Sequence, residues 1–327
     1  MYIKENIIRI LECNNGKFIS GERLANELNV SRTAIWKAIK LLKSEGYKIN
    51  AISNKGYALS KENDILSSII IKSNMNKYED KFNFSIYKTV ESTNIIARNL
   101  AINNADTGTV VIAEGQTAGY GRNGKSFFSP YGTGIYMSIV LNLKKEKKDF
   151  NSSFITIAVA AAVSKAIEEI TNKKTKIKWV NDIFIDDKKV CGILTEGAFS
   201  FEDRKLDYAV IGIGINVNFP KNGFPKDIND IAISLNNDIN NKSSIRNILI
   251  AKILENIWEY HFENINFYDE YKSRSLLIGK KVSIKLKGEE KIVKVLDIDE
   301  SFHLVIEFDD GKIDSITTSG TINYKLS

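Results

Sequence analysis

Eighteen residues constrain this chain more than any others: AEGQTAGYGRNGKSFFSP, positions 113–130. The residues leading into them, Thr109-Val110-Val111-Ile112-Ala113, are mostly β-branched and predict a strand. Beyond that strand, Gly119, Gly121 and Gly124 let the backbone bend and approach a ligand closely, because no Cβ stands in the way. Arg122 and Lys125 sit among them. Either can meet a phosphate or carboxylate, and the guanidinium can hold two oxygens at once. A loop of this composition is suited to wrapping an anion.

The spacing Gly119-x-Gly121-x-x-Gly124 formally matches the dinucleotide fingerprint. That fingerprint needs a helix opening at the glycines, so that its N-terminus can hold a pyrophosphate. Here Ser126-Phe127-Phe128-Ser129-Pro130 follows, then Gly132 and Gly134, which argues against a helix. No acidic residue about 20 positions on ends a clear second strand. The competing structural reading is a surface hairpin with turn glycines, and the decision falls to the rest of the chain.

At 327 residues, two or three domains are expected. No apolar run approaches the ~18 residues of a membrane span, and Met1–Asn6 lack a signal-peptide layout, so a cytoplasmic protein is expected. Cys13 and Cys191 lie far apart in apolar segments and read as small buried hydrophobes in a reducing compartment. The two histidines, His261 and His303, are not near a candidate nucleophile, which argues against a histidine metal site or a Ser-His-Asp triad. No metal-ligating residues are assigned. The net charge of +6 is uneven: residues 1–60 hold ten Lys/Arg and five Asp/Glu, which is +5 of the total. A basic excess confined to one small unit suggests a polyanion partner for it.

Three helical patterns fill that basic region. Ile3, Ile7, Ile8, Ile10 and Leu11 recur at helical spacing. Ser20 caps a helix from Gly21 to Leu28, Asn29-Val30 turns the chain, and Ser31 caps a third helix from Arg32 to Glu45. Ala34, Ile35, Ala38, Ile39, Leu41 and Leu42 are expected on one apolar face of the third helix, with Arg32, Thr33, Trp36, Lys37 and Lys40 on the other. Two short strands, Tyr47–Asn50 and Gly56–Leu59, follow around Ser53-Asn54-Lys55. This is the layout of a winged helix-turn-helix that presents side chains to a DNA major groove, with Lys55 at the wing tip. A plain helical interaction domain with a solvated charged face is the alternative. Lys61–Asp64 reads as a polar linker.

The middle of the chain alternates strands and helices. Phe84–Tyr87 reads as a strand leading to Glu91-Ser92-Thr93-Asn94, where Ser92 is either a plain N-cap or part of a ligand site at a helix start. After the glycine loop come a strand at Ile135–Leu141 and an amphipathic helix at about 154–170. In KIKWVNDIFIDDKKVCGILTE, 176–196, one strand, a turn at Asp186-Asp187 and a return strand are expected. The Asn181-Asp182 pair conflicts with β-propensity, and such conflicts collect at functional sites. The apolar strand at 209–218 is broken by Gly212 and Gly214, which allows close backbone approach to a flat ring.

Taken together in this order, ESTN, AEGQTAGYGRNGK, KWVNDIFIDDKKVCGIL and GIGINVN resemble the biotin–protein ligases. With the winged helix in front, the resemblance extends over essentially the whole chain, to the bifunctional members that also repress a biotin operon. It implies a multidomain α+β fold. Residues 1–62 would be the winged helix-turn-helix (helix-turn-helix 21–40). Residues 63–275 would be a mixed α/β catalytic domain like class II aminoacyl-tRNA synthetases. Residues 276–327 would be an SH3-like β-barrel. The short strands from Leu277 on, with turns at Lys287-Gly288 and Asp310-Gly311, agree with an all-β end.

The resemblance also implies roles. Ser92, Thr93, Asn94 and Gln116 would touch biotin. Gly119, Tyr120, Gly121 and Arg122 would close over biotin and its adenylate. Lys189 would meet the biotin carboxyl end beside Gly192, Asn181 and Asp182 would lie near the phosphates, and Asn216 near the adenine. Arg122, Lys189 and Asp182 would carry the chemistry. The ligands would be biotin, ATP and Mg²⁺, with biotinyl-5′-AMP as intermediate and corepressor. The partners would be a biotin carboxyl carrier protein and operator DNA, with a homodimer when adenylate is bound. Three positions depart from the family pattern: Tyr120 stands where Arg is usual, Phe127 where Trp is usual, and Val180 where Pro is usual. The loss of one cation at Tyr120 leaves open a biotin-sensing DNA-binding regulator with weak ligase activity. A dinucleotide enzyme fused to a DNA-binding domain is the remaining alternative.

Overall fold

A computed structural model describes residues 2–14, 16–144, 152–200, 205–237, 245–286, 289–317 and 321–323. The N-terminal helix α1 (Tyr2–Cys13) buries Ile7, Ile8 and Leu11. Cys13 is exposed, contrary to its reading as a buried hydrophobe. It lies two positions past Leu11, about 200° around the helix from that buried residue. Ser20 and Ser31 accept the backbone N–H groups of Arg23 and Ala34, each at 3.1 Å, and so start α2 (Gly21–Glu27) and α3 (Arg32–Ser44). Each cap satisfies one of the donors that a helix start leaves unpaired. Leu41, expected on the apolar face of α3, is 54% exposed. That face is centred on Ile35, Ala38, Ile39 and Leu42, and Leu41 falls about 100° to one side of Leu42. The wing is the antiparallel pair β1 (Ile49–Ile52) and β2 (Gly56–Leu59), turned by Asn54 at φ 62°.

The expected linker is a fixed connection. Asn63 is buried and Asp64 pairs with Arg246 at 3.0 Å. The next helix, α4 (Ser68–Ser73), serves two cores: Ile70 packs with the winged domain and Ile71 with the central domain.

The central domain runs β3 (Asn83–Val90), α5 (Thr93–Ile102), β4 (Thr109–Gln116), β5 (Gly134–Asn142), α6 (Ser152–Thr171), β6 (Lys176–Lys178), β7 (Asp182–Ile185), β8 (Lys188–Ser200) and β9 (Lys205–Asn216). The strands form one sheet in the order β3-β4-β5-β9-β8-β7-β6, parallel only at β3–β4. Alternation along the strands gives the sheet two different faces. Ile112, Met137, Ile139, Ile211 and Ile213 belong to the main core, together with α6 and α7 (Arg246–His261). On the other face α5 covers Val111, Val140 and Val210 through Ala97 and Ala101. It covers only part of that face, and the remainder, over β9, β8 and β7, floors a cleft. After α8 (Tyr268–Ser273), strands β10 (Lys281–Leu286), β11 (Glu289–Ile298), β12 (Leu304–Glu307), β13 (Ile313–Ile316) and β14 (Thr321–Asn323) form an antiparallel sheet in the order β13-β12-β11-β10-β14. The Asp310-Gly311 turn joins β12 to β13 with Gly311 at φ 81°. The turn read at Lys287-Gly288 lies outside the described residues. Phe302, within this all-β end, adopts φ 61° just before β12. Its ring stacks on Phe267, and its carbonyl accepts Trp179 Nε1 at 3.0 Å.

Candidate functional site

The segment read as one strand before Asp186 is two. Trp179, Val180 and Asn181 form a turn, so Lys178 pairs with Asp182 across a β6–β7 hairpin. This removes the propensity conflict, because Asn181 is in the turn and Asp182 opens the strand. The Asn181 amide donates to Ile193 O (2.9 Å) and Asp182 Oδ1 (3.2 Å). Asp186 and Asp187 both have positive φ (47° and 59°), as a tight hairpin with the right-handed twist of its strands requires. That turn returns Lys189 to the cleft, where its Nζ lies 2.7 Å from Asp182 Oδ1. Burial pulls the Lys178 ammonium below its ordinary pKa. Asp182 opposes this, and the neighbouring Lys189 and Lys125 add to it. The wall therefore concentrates cations around a single carboxylate.

The glycine loop is a small hairpin. Gly121 N donates to Lys125 O and Phe127 N to Gly119 O, both at 2.8 Å. Arg122–Gly124 is a single 3₁₀ turn with Asn123 and Gly124 at positive φ. The helix that a dinucleotide site needs does not form, which overturns that reading. The loop's base is tied down by Thr117 N to Val90 O and Ala118 N to Glu91 O, both 2.9 Å. Its tip reaches across, with Arg122 Nη1 donating to Asn181 Oδ1 at 3.2 Å. Phe127 lies over β9: a Cβ on Gly214 would meet its ring at 2.5 Å. Glycine is required there by the ring above it.

At the other end of the cleft the start of α5 meets the loop base. Ser92 occupies the N-cap position, but its hydroxyl makes no capping bond. Thr93 N donates to Gln116 Oε1 (2.8 Å), and Gln116 Nε2 donates to Ser129 Oγ (3.0 Å). Asn94 is seated over Gly212, where a Cβ would collide with its amide oxygen. Asn94 Nδ2 and Tyr120 OH both donate to Glu196 Oε2, at 2.7 and 2.9 Å. Burial, and then that bond to Glu196, push the Tyr120 phenol up to about 12. The result is one cleft of 240 Å³, polar and hydrogen-bonding at one end and cationic at the other.

Residues 85–216 match the biotin/lipoate A/B protein ligase family, and residues 4–58 match an HTH domain. The chain is 36% identical over 320 residues to the bifunctional ligase/repressor BirA of Bacillus subtilis, covering 94% of this chain and 95% of that protein. This chain belongs to the biotin/lipoate protein ligase family. The Escherichia coli bifunctional ligase/repressor BirA is 31% identical over 203 residues, 62% of this chain and 60% of that protein. A biotin protein ligase from Aquifex aeolicus, solved in complex with biotin and ATP, superposes with a TM-score of 0.59 at 29% identity, covering 74% of this chain and 99% of that one.

Of the ligase-family residues expected from sequence, Ser92, Thr93, Asn94, Gln116, Tyr120, Gly121, Arg122, Asn181, Asp182, Lys189 and Gly192 all line this cleft. Gly119 and Asn216 do not. Gly119 packs behind the wall, where a Cβ would meet Gln116 Nε2 and Ser129 Oγ, each at 2.6 Å. Asn216 sits at the end of β9 with its amide on Ile233 O at 3.3 Å. Sequence reasoning missed Glu196, Ser138 and Ser129. Ser138 carried a usable signal, as a serine in the buried and mostly apolar run of β5. In the HTH domain, Arg32, Thr33 and Trp36 line a cleft against Ile52, Ser53 and Asn54 of the wing. Lys37, Lys40 and Lys55 are exposed beside it, and Lys40 Nζ lies 5.4 Å from the centre of the Trp36 ring.

Proposed function

We propose that this chain is an ATP-dependent biotin–protein ligase that also acts as a biotin-responsive repressor. The observation that carries this reading is the two-ended cleft: a neutral hydrogen-bonding end at Thr93, Asn94 and Gln116, and a cationic end at Arg122, Lys125, Lys178 and Lys189. Biotin has this polarity, a neutral ureido head and an anionic carboxylate that must meet a triphosphate.

In the first step a biotin carboxylate oxygen attacks the α-phosphorus of ATP. The bond to the pyrophosphate oxygen breaks, and pyrophosphate leaves with the electron pair. Positioning and charge neutralisation suffice for this step, so no covalent nucleophile is needed. Arg122 and Lys189 supply both. In the second step a lysine amine of a biotin carboxyl carrier protein attacks the acyl carbon and AMP leaves. Asp182 orients that amine or takes its proton. Among the described residues no group of three or more His, Cys, Asp or Glu side chains forms a metal cage. Mg²⁺ would be held mainly by ATP phosphate oxygens, with Asp182 as the one carboxylate lining the cleft, and would neutralise phosphate charge.

The finer architecture belongs to the same proposal: domains at 1–62, 63–275 and 276–327, a class II synthetase-like central domain and an SH3-like C-terminal barrel. When carrier protein is scarce, retained adenylate favours a homodimer, and Arg32, Thr33, Trp36, Lys37, Lys40 and Lys55 engage operator DNA. Incubation with ATP, Mg²⁺, biotin and a carrier domain tests the ligase. Pyrophosphate release and acceptor labelling are expected, and absence of both rejects it. DNA binding indifferent to biotin and ATP rejects the switch. Biotin-dependent DNA binding without acceptor labelling favours the weak-ligase regulator, for which the neutral Tyr120 is the supporting observation.

A further inference from the structure

Glu196 does not line the cleft, yet it receives two of the cleft's side chains. Its Oε2 lies 2.7 Å from Asn94 Nδ2 and 2.9 Å from Tyr120 OH. A carboxylate only accepts, so it fixes which way the Asn94 amide faces: NH₂ toward Glu196, oxygen away. That oxygen lies 2.6 Å from Ser138 Oγ, on the buried floor strand β5. Ser138 also lies 2.8 Å from Thr93 Oγ1 and has a single proton. The amide oxygen cannot donate, so the Ser138 proton goes to Asn94 and Thr93 must supply the proton between the two hydroxyls. Thr93 also has a single proton, so in this sense its Oγ1, 3.2 Å from Gln116 Oε1, does not donate there, and Gln116 Oε1 accepts the Thr93 backbone N–H instead. One charge thus sets the donor and acceptor sense of the chain Asn94–Ser138–Thr93.

We propose that Glu196 is a positioning residue that fixes the hydrogen-bond polarity of the ureido-recognition end, with Ser138 as its buried relay. The proposal rests on the ligase reading above. A ureido head presents two N–H donors around one carbonyl acceptor. A site whose own groups could reverse would recognise the mirrored pattern as well. Replacing Glu196 with Gln permits that reversal, because an amide can donate to Asn94 Oδ1, releasing Asn94 Nδ2 toward Ser138 and turning both hydroxyls over.

The test compares biotin with its thiourea analogue, in which sulfur, a poorer acceptor, replaces the carbonyl oxygen without adding charge, using ATP-dependent pyrophosphate release. Wild-type activity with biotin tests the ligase reading separately from anything about Glu196. In Glu196→Gln the KM for biotin is expected to rise about tenfold with kcat and the KM for ATP little changed, the size expected when a buried polar group loses a correct partner. The preference for biotin over the thiourea analogue is expected to fall by a similar factor. Glu196→Asp, which still only accepts, is expected to restore most of that preference. Ser138→Ala breaks the relay without altering the charge and is expected to relax the same preference. Melting temperatures are measured alongside, since a purely structural role lowers stability without changing the ratio of biotin to thiourea-analogue activity. Wild-type discrimination retained by both Glu196→Gln and Ser138→Ala overturns the proposal.

Discussion

Replacing Arg246 with Met is expected to be among the most destabilising single changes in the chain. The Arg246 side chain is 2% exposed. Its Nε lies 3.0 Å from Asp64 Oδ2, its Nη1 lies 2.7 Å from Glu114 Oε2 and donates to Gly134 O at 3.2 Å, and its Nη2 donates to Asp64 O. Burial alone would lower the guanidinium pKa, but Asp64 and Glu114 together outweigh it and hold it above its ordinary value. Methionine fills similar volume but leaves two carboxylates without their cation. Breaking a buried pair by removing one partner costs about 3–5 kcal/mol. The lower end applies here, because Leu66 N still donates to Glu114 Oε1 (2.9 Å) and Asn218 Nδ2 to Asp64 Oδ2 (3.3 Å). At about 3 kcal/mol, Tm should fall by about 6–12 °C for a domain of this size. Urea unfolding followed by the fluorescence of the three tryptophans, of which Trp258 lies on the same helix as Arg246, gives the free energy. Adding Asp64→Asn and Glu114→Gln removes the orphaned charges and should recover at least half of the loss, about 1.5 kcal/mol or more. A single-variant loss below about 1 kcal/mol, or a triple variant no better than the single, refutes the argument that uncompensated buried charge sets the cost.

Three other outcomes follow from the site and the wing. Gly212→Ala places a Cβ against the Asn94 amide, so biotin affinity measured by calorimetry should fall at least about tenfold, a free-energy change of ~1.4 kcal/mol. The phenols of Tyr120 and Tyr136 are both pushed up to about 12, Tyr136 mainly by burial. Their neutral forms therefore favour the folded state. That contribution is complete below pH 10, the ordinary tyrosine value, and is lost as pH rises toward about 12, so alkaline ultraviolet difference spectra should show these two ionising late and together with unfolding. Lys37→Ala should weaken operator binding evenly across sequences and reduce the salt slope of log K by about 1, whereas an unchanged slope would place Lys37 away from phosphate.

Much of the molecule was legible because its causes are local. Ser20 and Ser31 cap helices through N–H groups three residues away, and the Asp310-Gly311 pair makes its turn from its own backbone. The glycine loop announced its hairpin and its cations within one stretch. What escaped depended on distance or on geometry that composition does not encode. Asn94 and Glu196 meet across 102 residues, and Arg246 and Asp64 across 182, and nothing beside either member marks the other. Trp179-Val180 reads as strand because both residues are apolar, yet the pair turns the chain and aims Trp179 at the carbonyl of Phe302, just before β12. Leu41 was assigned by residue type, whereas its angular position on α3 decided its exposure.

The short helix α4 has a thermodynamic consequence. Ile70 and Ile71 are neighbours in sequence, but one is buried in the DNA-reading unit and the other in the ligase. Asn247, next to Arg246, clamps the approach to that helix by accepting from Ser67 N at 2.9 Å and donating to Ile65 O at 2.8 Å. Separating the two units therefore exposes apolar surface and strands backbone groups at once, so they share part of one unfolding equilibrium. A ligand that binds only the folded ligase adds its binding free energy to that shared equilibrium. The winged helix then becomes harder to open although the ligand never touches it, and in that sense the occupancy of the cleft is recorded in the hydrogen-exchange protection of the DNA-binding domain.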